Sequence, residues 1–322
     1  METRIAVIGT FWLSETFVKA IDKTKGARLA AVCSRSMEKA RAFAGNRENV
    51  KLYDDPALLA ADADIDAVYI ATPNMTHYAL SKQMLLAGKH VLCEKPVTVS
   101  PKEYDELLSL AKEKGLVYLE AMMSAHLPQL SVLKETLQKA GRVVTARFDF
   151  SQRSSKIDRV WQGERFSSFS KDCYGGALMD LGVYAVYLSL MLFGYPERAD
   201  AYCVPILDVD GTDTVVLSYD DFNVVITLSK LAESRIRSEI ICEKGTVTVG
   251  LISQLQEMDF YPVGGEKASI YGKNDFADSM AGELADFLSY IAGKDYTEMQ
   301  KLAENSVKLL QLIREKIGYD KL

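Results

Sequence analysis

The sequence predicts an α/β protein in which a doubly wound parallel sheet is followed by an α+β domain with an open-faced, largely antiparallel sheet. Three observations predict this. Short apolar runs alternate with amphipathic stretches as far as residue 122. After Gly141 strand-like runs follow one another with short turns. The length of 322 residues also exceeds the usual size of one domain.

The first part of the chain supplies the parallel sheet. Pro101 after Ser100 marks a helix start, while Gly88 and Gly115 follow helix ends. The predicted strands are residues 5–9, 28–34, 67–71, 89–93 and 117–121, and the predicted helices are residues 13–23, 37–44, 77–87 and 101–114. We assign residues 1–122 to a dinucleotide-binding Rossmann domain.

The second part has a different texture. Its predicted strands are residues 142–152, 199–206, 212–218, 222–228, 235–242 and 246–249. Its predicted helices are residues 128–140, 177–193, 282–292 and 296–317. We assign residues 123–322 to a domain for substrate binding and oligomerisation.

Composition narrows the class of protein. A formal net charge of −6 disfavours partners with phosphate backbones or anionic headgroups, so we expect neither a nucleic-acid nor a membrane partner. Five scattered cysteines indicate reduced thiols, with no metal site. The amino terminus does not resemble a signal peptide, and the apolar run 183–193 is too short to span a bilayer. We expect a cytoplasmic protein.

Lys95 is the most informative residue. It lies in Glu94-Lys95-Pro96, directly after the apolar residues 91–93. A lysine at the carboxyl end of a parallel strand points into the crevice where such sheets bind ligands. The proline disfavours a helical backbone at Lys95, so its ammonium is presented from an extended segment.

The turn after the first strand is a candidate cofactor site. It reads Gly9-Thr10-Phe11-Trp12-Leu13-Ser14, where a dinucleotide fold carries Gly-x-Gly-x-x-Gly. One glycine of three is present, so an ordinary strand-to-helix turn explains this sequence about as well as a dinucleotide-binding turn does. The position favours a cofactor role, because a helix amino terminus binds pyrophosphate there.

The ends of the predicted strands 28–34 and 67–71 indicate which cofactor binds and where its nicotinamide lies. Ser34 and Arg35 stand where an NAD-selective fold carries an acid, and they suit a 2′-phosphate. A solvated arginine is the alternative; we expect NADP, with NAD possible. Thr72-Pro73-Asn74 and His77 would face the nicotinamide side, although an asparagine before a helix is often a cap.

Asp180 and Tyr184, within residues 175–184, form a second candidate site, in the predicted substrate-binding domain. They are four residues apart on a predicted helix whose other positions are apolar. Two polar groups on a buried helix need partners or a ligand. A self-contained Asp–Tyr hydrogen bond and an active site are equally compatible with this spacing.

These segments together resemble the Gfo/Idh/MocA family of oxidoreductases over nearly the whole chain. Glu94-Lys95-Pro96 and residues 175–184, in this spacing, are the specific elements, and the latter is similar to the branch containing dimeric dihydrodiol dehydrogenase. The resemblance implies a nicotinamide cofactor in a Rossmann domain followed by an open-faced sheet.

The resemblance also implies roles. Lys95 would bond the reacting oxygen, and Glu94 and Asn74 would line the nicotinamide ribose pocket. Asp180 and Tyr184 match the family's catalytic Asp and His. The chain departs from the family pattern at Phe11, at Tyr184 (often histidine) and at residues 124–127, where His126 stands near the place of a common arginine.

We therefore expect an NAD(P)-dependent dehydrogenase acting on a secondary alcohol or carbonyl of a sugar, polyol or cyclic diol. The alternatives are a redox-neutral lyase or glycosidase with tightly bound NAD(P), and a non-catalytic NADP-sensing regulator. Candidate substrate loops are residues 152–170 and 262–278. Residues in or near them that could contact substrate, or only coat the surface, are Arg153, Lys156, Arg159, Trp161 and Tyr174.

We also expect a homodimer or homotetramer. The predicted second sheet carries helices on one side, so its other face would expose rows of residues. We place Val215, Leu217, Val225 and Thr227 on that face. An exposed apolar area of this kind usually marks an interface.

Overall fold

The computed structural model describes residues 2–273 and 275–322. The chain forms two compact units. One consists of Met1–Met123 with Asp275–Glu304, and the other of Ser124–Asn274 with Asn305–Leu322. In the last two helices of the chain, residues up to Glu304 belong to the first unit and residues from Asn305 onwards belong to the second.

The first unit contains a six-stranded parallel sheet in the order β3-β2-β1-β4-β5-β6. Its strands are β1 (Thr3–Ile8), β2 (Ala27–Cys33), β3 (Lys51–Tyr53), β4 (Ala67–Ile70), β5 (His90–Glu94) and β6 (Tyr118–Ala121). Its sequential helices are α1 (Trp12–Lys23), α2 (Met37–Ala44), α3 (Pro56–Ala60), α4 (His77–Leu86) and α5 (Pro101–Glu113). The strand order reverses between β1 and β4, which is where doubly wound sheets bind their ligands.

The second unit contains an eight-stranded sheet in the order β14-β13-β12-β11-β7-β10-β9-β8. Its strands are β7 (Val143–Ser151), β8 (Arg198–Ile206), β9 (Val209–Ser218), β10 (Asn223–Ser229), β11 (Ser238–Cys242), β12 (Gly245–Val249), β13 (Met258–Pro262) and β14 (Ala268–Tyr271). Its helices include α6 (Pro128–Ala140), α7 (Ile157–Trp161) and α8 (Val183–Phe193). The described neighbours pair antiparallel apart from the parallel pair β7–β10. The predicted fold class is confirmed.

Two helices close the chain, α9 (Phe276–Ile291) and α10 (Thr297–Lys316). Within the first unit α9 packs against α1. The rings of Trp12 and Phe276 have centroids 5.9 Å apart, and Lys23 Nζ lies 2.6 Å from Asp278 Oδ1. The Rossmann sheet therefore gains a helix from the far end of the sequence.

The register of the second sheet corrects our assignment of its faces. Val215 lies opposite Ile226 and Leu217 opposite Val224, and all four are fully buried. Because side chains alternate along a strand, Val225 lies on the other face, opposite Val216. The prediction that Val215 and Leu217 are exposed was wrong, whereas Val225 and Thr227 are only partly buried.

The apolar helical stretch before β8 lies largely in the core. Within the described residues, one helical run, Lys171–Phe193, is long and apolar enough to cross a bilayer by length and composition. However, 67% of its 18-residue apolar window is buried inside the protein. Core helices of water-soluble proteins commonly have this property.

Candidate active site

Gly9 shapes the turn between β1 and α1. Its φ is +107°, and a β-carbon at this position would lie 2.0 Å from the Ala71 carbonyl oxygen. The end of β1 can therefore approach the end of β4 this closely only with glycine. This contact explains why the first glycine of the motif is present although the other two are absent.

The residues after Gly9 present a helix amino terminus at the point where the strand order reverses. α1 begins at Trp12, so the first backbone N–H groups of the helix are available to an anion. Phe11 and Trp12 are exposed and Leu13 is partly buried. Ser14, in the place of the third glycine, is fully buried, which agrees with the need for a small side chain there.

The ends of β1 and β2 are linked by side chains. Thr10 Oγ1 and Ser34 Oγ are 3.2 Å apart, and the Ser34 N–H donates to the Tyr53 carbonyl at 3.0 Å. Arg35 follows with an exposed side chain, and Ser36 caps α2. An exposed guanidinium next to a fixed hydroxyl suits a phosphate monoester.

His77 is a buried residue that connects two segments of the predicted cofactor site. It is fully buried, with Nδ1 2.9 Å from the Pro96 carbonyl oxygen and Nε2 2.8 Å from that of Thr72. Burial, with a smaller contribution from the charge of Lys95, lowers the pKa of His77. The ring therefore braces the segments containing Thr72 and Pro96, so any effect of His77 on a cofactor acts through them.

The segment before His77 contains the other residues predicted at this strand end. Asn74 begins a short 3₁₀ turn, Asn74–Thr76, and is partly buried, while Pro73 is exposed. The turn is held by Thr76, whose hydroxyl donates to the Pro73 carbonyl at 2.7 Å and lies 2.6 Å from Thr72 Oγ1. The cap that precedes α4 is Thr76, so Asn74 does not occupy the cap position considered from sequence.

Glu94 and Lys95 lie at the end of β5. Glu94 is buried and accepts hydrogen bonds from the Tyr69 hydroxyl (2.5 Å) and the Lys95 N–H (3.3 Å). Burial raises the pKa of Glu94, although the Tyr69 hydrogen bond opposes this. The Lys95–Pro96 peptide is cis, and Glu120 accepts from the Val97 N–H at 2.8 Å. The backbone on both sides of Lys95 is thereby fixed by buried carboxyl groups.

A third buried acid, which the sequence analysis missed, lies in α9. Glu283 is fully buried, and burial followed by the charges of Glu94 and Glu120 raises its pKa well above the usual range. Burial of this kind disfavours the charged form of a carboxyl group. Its helix lies far away in sequence from the strand ends, so no local pattern signals the proximity.

In the second unit, tight packing around three glycines shapes the segment that carries Asp180. A β-carbon on Gly175 would lie 2.8 Å or less from main-chain atoms of Ser167 and Ser168, and one on Gly176 1.9 Å from Asp210 Oδ1. One on Gly182 would lie 2.5 Å from a Leu228 methyl carbon. These positions therefore require glycine. After Gly176 the chain forms a π-helical turn, Leu178–Gly182, which continues into α8.

Asp180 and Tyr184 share the accessible stripe of this helix, as their spacing predicts. Among residues 177–190 these two are partly buried and all others are buried. The Tyr184 ring packs against Phe150, with centroids 5.6 Å apart. The helix therefore shows two polar side chains on an otherwise buried surface.

Lys230 is a further residue that the sequence analysis missed. Its side chain is 3% exposed, and Nζ lies 2.6 Å from Asp180 Oδ2. Nζ also donates to the Ser168 carbonyl at 2.8 Å. A signal was available, because Lys230 follows an apolar strand just as Lys95 does.

The polar residues of the predicted substrate loop pair locally. Arg153 donates to Asp158 at 2.6 Å and Arg159 to Glu164 at 2.9 Å. Lys156 Nζ lies 5.3 Å from the centre of the Phe166 ring. Trp161 is 61% exposed, so of the five it offers the largest apolar surface to a ligand.

The remaining predicted positions lie as follows. Tyr174 has a left-handed backbone, φ 51°, and the Arg314 guanidinium lies 5.3 Å from its ring centre. His126 ends the 3₁₀ turn Met123–His126. β13 and β14 reach into the second predicted loop, residues 262–278, of which residue 274 lies outside the described residues. Within residues 2–273 and 275–322, no group of three or more His, Cys, Asp or Glu side chains could hold a metal ion.

The first unit fits a dinucleotide cofactor by its own geometry. A glycine without room for a β-carbon, a helix amino terminus and the reversal of strand order coincide at the end of β1. Residues 3–122 match the model of the "oxidoreductase family, NAD-binding Rossmann fold", and residues 133–248 match the "GFO/IDH/MocA C-terminal domain". The chain belongs to the Gfo/Idh/MocA family. It is an oxidoreductase with a nicotinamide dinucleotide as cofactor, as the resemblance implied.

Relatives in this family support the assignment. The scyllo-inositol 2-dehydrogenase (NADP(+)) IolU of Bacillus subtilis is 34% identical over 98% of this chain and 97% of that protein. The trans-1,2-dihydrobenzene-1,2-diol dehydrogenase of Bos taurus is 32% identical over 60% of this chain and 56% of that protein. The fold is similar to that of KijD10, a 3-ketoreductase from Actinomadura kijaniata, with a TM-score of 0.88, 21% identity and 98% of both chains covered.

Proposed function

We propose that this Gfo/Idh/MocA oxidoreductase is an NADP-dependent dehydrogenase or reductase that interconverts a secondary alcohol and its carbonyl on a polyol, sugar or cyclic diol. The observation that carries the proposal is the pair Asp180 and Tyr184, which are the partly accessible residues on a helix that is otherwise buried. The relatives named above act on an inositol and on a dihydrodiol, both of which carry neighbouring hydroxyl groups.

Lys95 supports the proposal by its placement. It follows β5, whose carboxyl end lies on the same edge of the sheet as the ends of β1 and β4. The hydrogen bonds of Glu94, Glu120 and His77 fix the backbone around it. We propose that the Lys95 ammonium donates a hydrogen bond to the reacting oxygen. Loss of such a donor costs about 10²–10³-fold in turnover.

Tyr184 and Asp180 supply the remaining chemistry in this proposal. A bound nicotinamide cofactor would supply or accept the hydride, so residues of the protein must move the proton on the substrate oxygen. Tyr184, or Lys95, donates that proton during reduction and accepts it during oxidation; acid–base assistance of this kind contributes about 10²–10⁴-fold. Asp180, fixed by Lys230, orients a substrate hydroxyl.

Ser34 and Arg35 support NADP as the preferred cofactor. Ser34 is held at the end of β2 by Thr10 and by the Tyr53 carbonyl, and the Arg35 side chain is exposed beside it. A hydroxyl and a guanidinium are suitable partners for a 2′-phosphate. The name of the IolU relative specifies NADP(+).

The decisive experiment follows NADPH absorbance with a panel of polyols and cyclic diols that includes scyllo-inositol. Lys95→Met should lower kcat by about 10²–10⁴-fold while the Kd for NADP changes little. Tyr184→Phe should lower kcat on the same substrates. The matched controls are Lys102→Met, at an exposed position of α5, and Tyr78→Phe, whose hydroxyl donates to the surface residue Glu106.

Each result has a consequence. Full activity of Lys95→Met would refute the acid–base role. Product formed without net change of NADPH would instead favour a redox-neutral lyase or glycosidase. Firm NADP binding with no turnover across the panel would favour a cofactor-sensing regulator.

We further propose a cytoplasmic homodimer or homotetramer assembled through the open face of the second sheet. Val225 and Thr227 of β10 are partly buried there, beside Val216 and Thr214 of β9. The scattered cysteines support a reducing compartment. Light scattering at micromolar concentration should report an oligomer, and a monomer would contradict the assembly.

A further inference from the structure

Lys230 is a buried cation whose contacts converge on the acid–base helix. Its ammonium touches the Asp180 carboxylate (2.6 Å) and the Ser168 carbonyl oxygen (2.8 Å). The centre of the Phe169 ring lies 4.5 Å away, a cation–π distance. A lysine that is 3% exposed needs such partners, because an uncompensated buried charge is strongly destabilising.

The backbone fixes where this ammonium lies. The Lys230 N–H donates to the Gly211 carbonyl at 2.9 Å, and the Lys230 carbonyl accepts from the Ser154 N–H at 2.9 Å. These two backbone hydrogen bonds fix the position of Lys230 directly after β10. The Ser168 carbonyl belongs to the segment that packs on Gly175, just before the π-helical turn. One side chain thus joins the strand end, this segment and Asp180.

The ion pair is accessible from one side. The Asp180 side chain is 43% exposed, whereas that of Lys230 is 3% exposed. Lys230 therefore holds one carboxylate oxygen from the core while the carboxylate keeps surface available to a ligand. A carboxylate fixed in this way is suited to accept a hydrogen bond from a neutral hydroxyl group.

We infer that Lys230 is the positioning residue that fixes Asp180 to receive a hydroxyl of a neutral polyhydroxyl substrate, next to the carbon that reacts. This role rests on the proposed dehydrogenase function. In it Lys230 touches neither substrate nor cofactor. It acts through Asp180, so its loss should affect substrate binding and turnover more than cofactor affinity.

The first measurement needs no substrate. The urea unfolding midpoints of Lys230→Met, Asp180→Asn and the double variant are compared with that of the wild type. Asp180→Asn leaves the buried ammonium without a carboxylate, so the double variant should unfold at a higher urea concentration than Asp180→Asn. Additive midpoint shifts would overturn the pairing. Arg198→Met, which removes an exposed ion pair with Asp200 in the same unit, is the control.

The second measurement is activity on the polyols that the wild type turns over. Lys230→Met should lower kcat/KM by about 10²-fold, with KM raised and the Kd for NADP nearly unchanged. Lys230→Arg should recover part of the loss, because it restores a cation beside Asp180. Arg198→Met should retain wild-type constants.

The outcomes separate the two levels of the proposal. Lys230→Met with wild-type kinetics, in an enzyme that turns over polyols, would overturn the positioning role and leave the proposed function intact. A wild type without turnover on any polyol would overturn the proposed function, and this role with it. If Lys230→Met does not fold, Asp180→Asn is measured instead, and wild-type kcat/KM in that variant would overturn the role, because Lys230 acts through Asp180.

Discussion

Replacing Gly9 with alanine should weaken both the fold of the first unit and its affinity for NADP. The new β-carbon would lie 2.0 Å from the Ala71 carbonyl oxygen and 2.9 Å from its carbon, both main-chain atoms. Neither atom can move aside by a rotamer change. The ends of β1 and β4 would have to separate, and these strand ends form the edge of the predicted cofactor site.

The magnitude follows from two costs. A side chain at φ +107° adds backbone strain of about 1–3 kcal/mol. Forcing an extra carbon into a packed contact adds about 1–3 kcal/mol. We therefore expect Gly9→Ala to lose about 2–6 kcal/mol of unfolding free energy. NADP affinity should fall as well, because the helix amino terminus at Trp12 moves with the turn.

Gly26→Ala is the matched control. Gly26 also has a positive φ, +88°, but a β-carbon there would meet nothing within 4 Å. It should therefore show the backbone strain without the collision. The assay is urea unfolding followed by circular dichroism, together with titration of NADP by tryptophan fluorescence. Equal stability losses in the two variants, with equal NADP affinities, would refute the reasoning.

Two further predictions test the charges of the structure. Arg35→Ala should weaken NADP binding by about 10–100-fold and NAD binding little, since a charge-assisted phosphate contact is worth about 1.5–3 kcal/mol. Arg28→Ala, at the opposite end of β2, is the control, and each variant is titrated with NADP and with NAD. Equal losses of NADP and NAD affinity in Arg35→Ala would contradict the 2′-phosphate role. Burial, together with the charge of Asp210, raises the pKa of Asp213. The folded state therefore keeps a proton that the unfolded chain releases near pH 4, so wild-type stability falls as pH rises by about 1.4 kcal/mol per unit from this group. Asp213→Asn should flatten that slope in urea titrations between pH 5.5 and 8.5, whereas parallel curves for the two proteins would show that the group does not titrate this way.

The parallel sheet was predictable because its strands are short apolar runs with clear punctuation. β3 was missed, since Lys51–Tyr53 is three residues long and partly exposed, and its place in the sheet comes from pairing with β2. β13 and β14 were missed for a related reason: they are short strands with polar or exposed positions. Helix α9 begins at Phe276, six residues before the predicted start at residue 282, because Asp275 caps it.

The faces of the second sheet could not be assigned from composition. Residues Val215 and Val216 are both valine, and the pairing of Val215 with Ile226 decides which of them is buried. A shift of one residue in register exchanges the two faces. Sequence alone does not fix that register.

The candidate site was predictable where a residue follows a strand or repeats on a helix. Lys95, Asp180 and Tyr184 were found by those two signals. Lys230 also follows a strand, but nothing in the sequence links it to its partner Asp180, which is 50 residues away. His77 was placed with the cofactor residues, and its ring turns out to bridge two carbonyl groups inside the unit.

We propose that Lys95 and Tyr184 act on one substrate oxygen beside the nicotinamide. A crystal structure of the enzyme with NADP and a bound polyol tests it most directly. We expect the Lys95 ammonium and the Tyr184 hydroxyl within about 3 Å of the same substrate oxygen. A bound polyol that contacts neither group, next to a correctly seated cofactor, would contradict it.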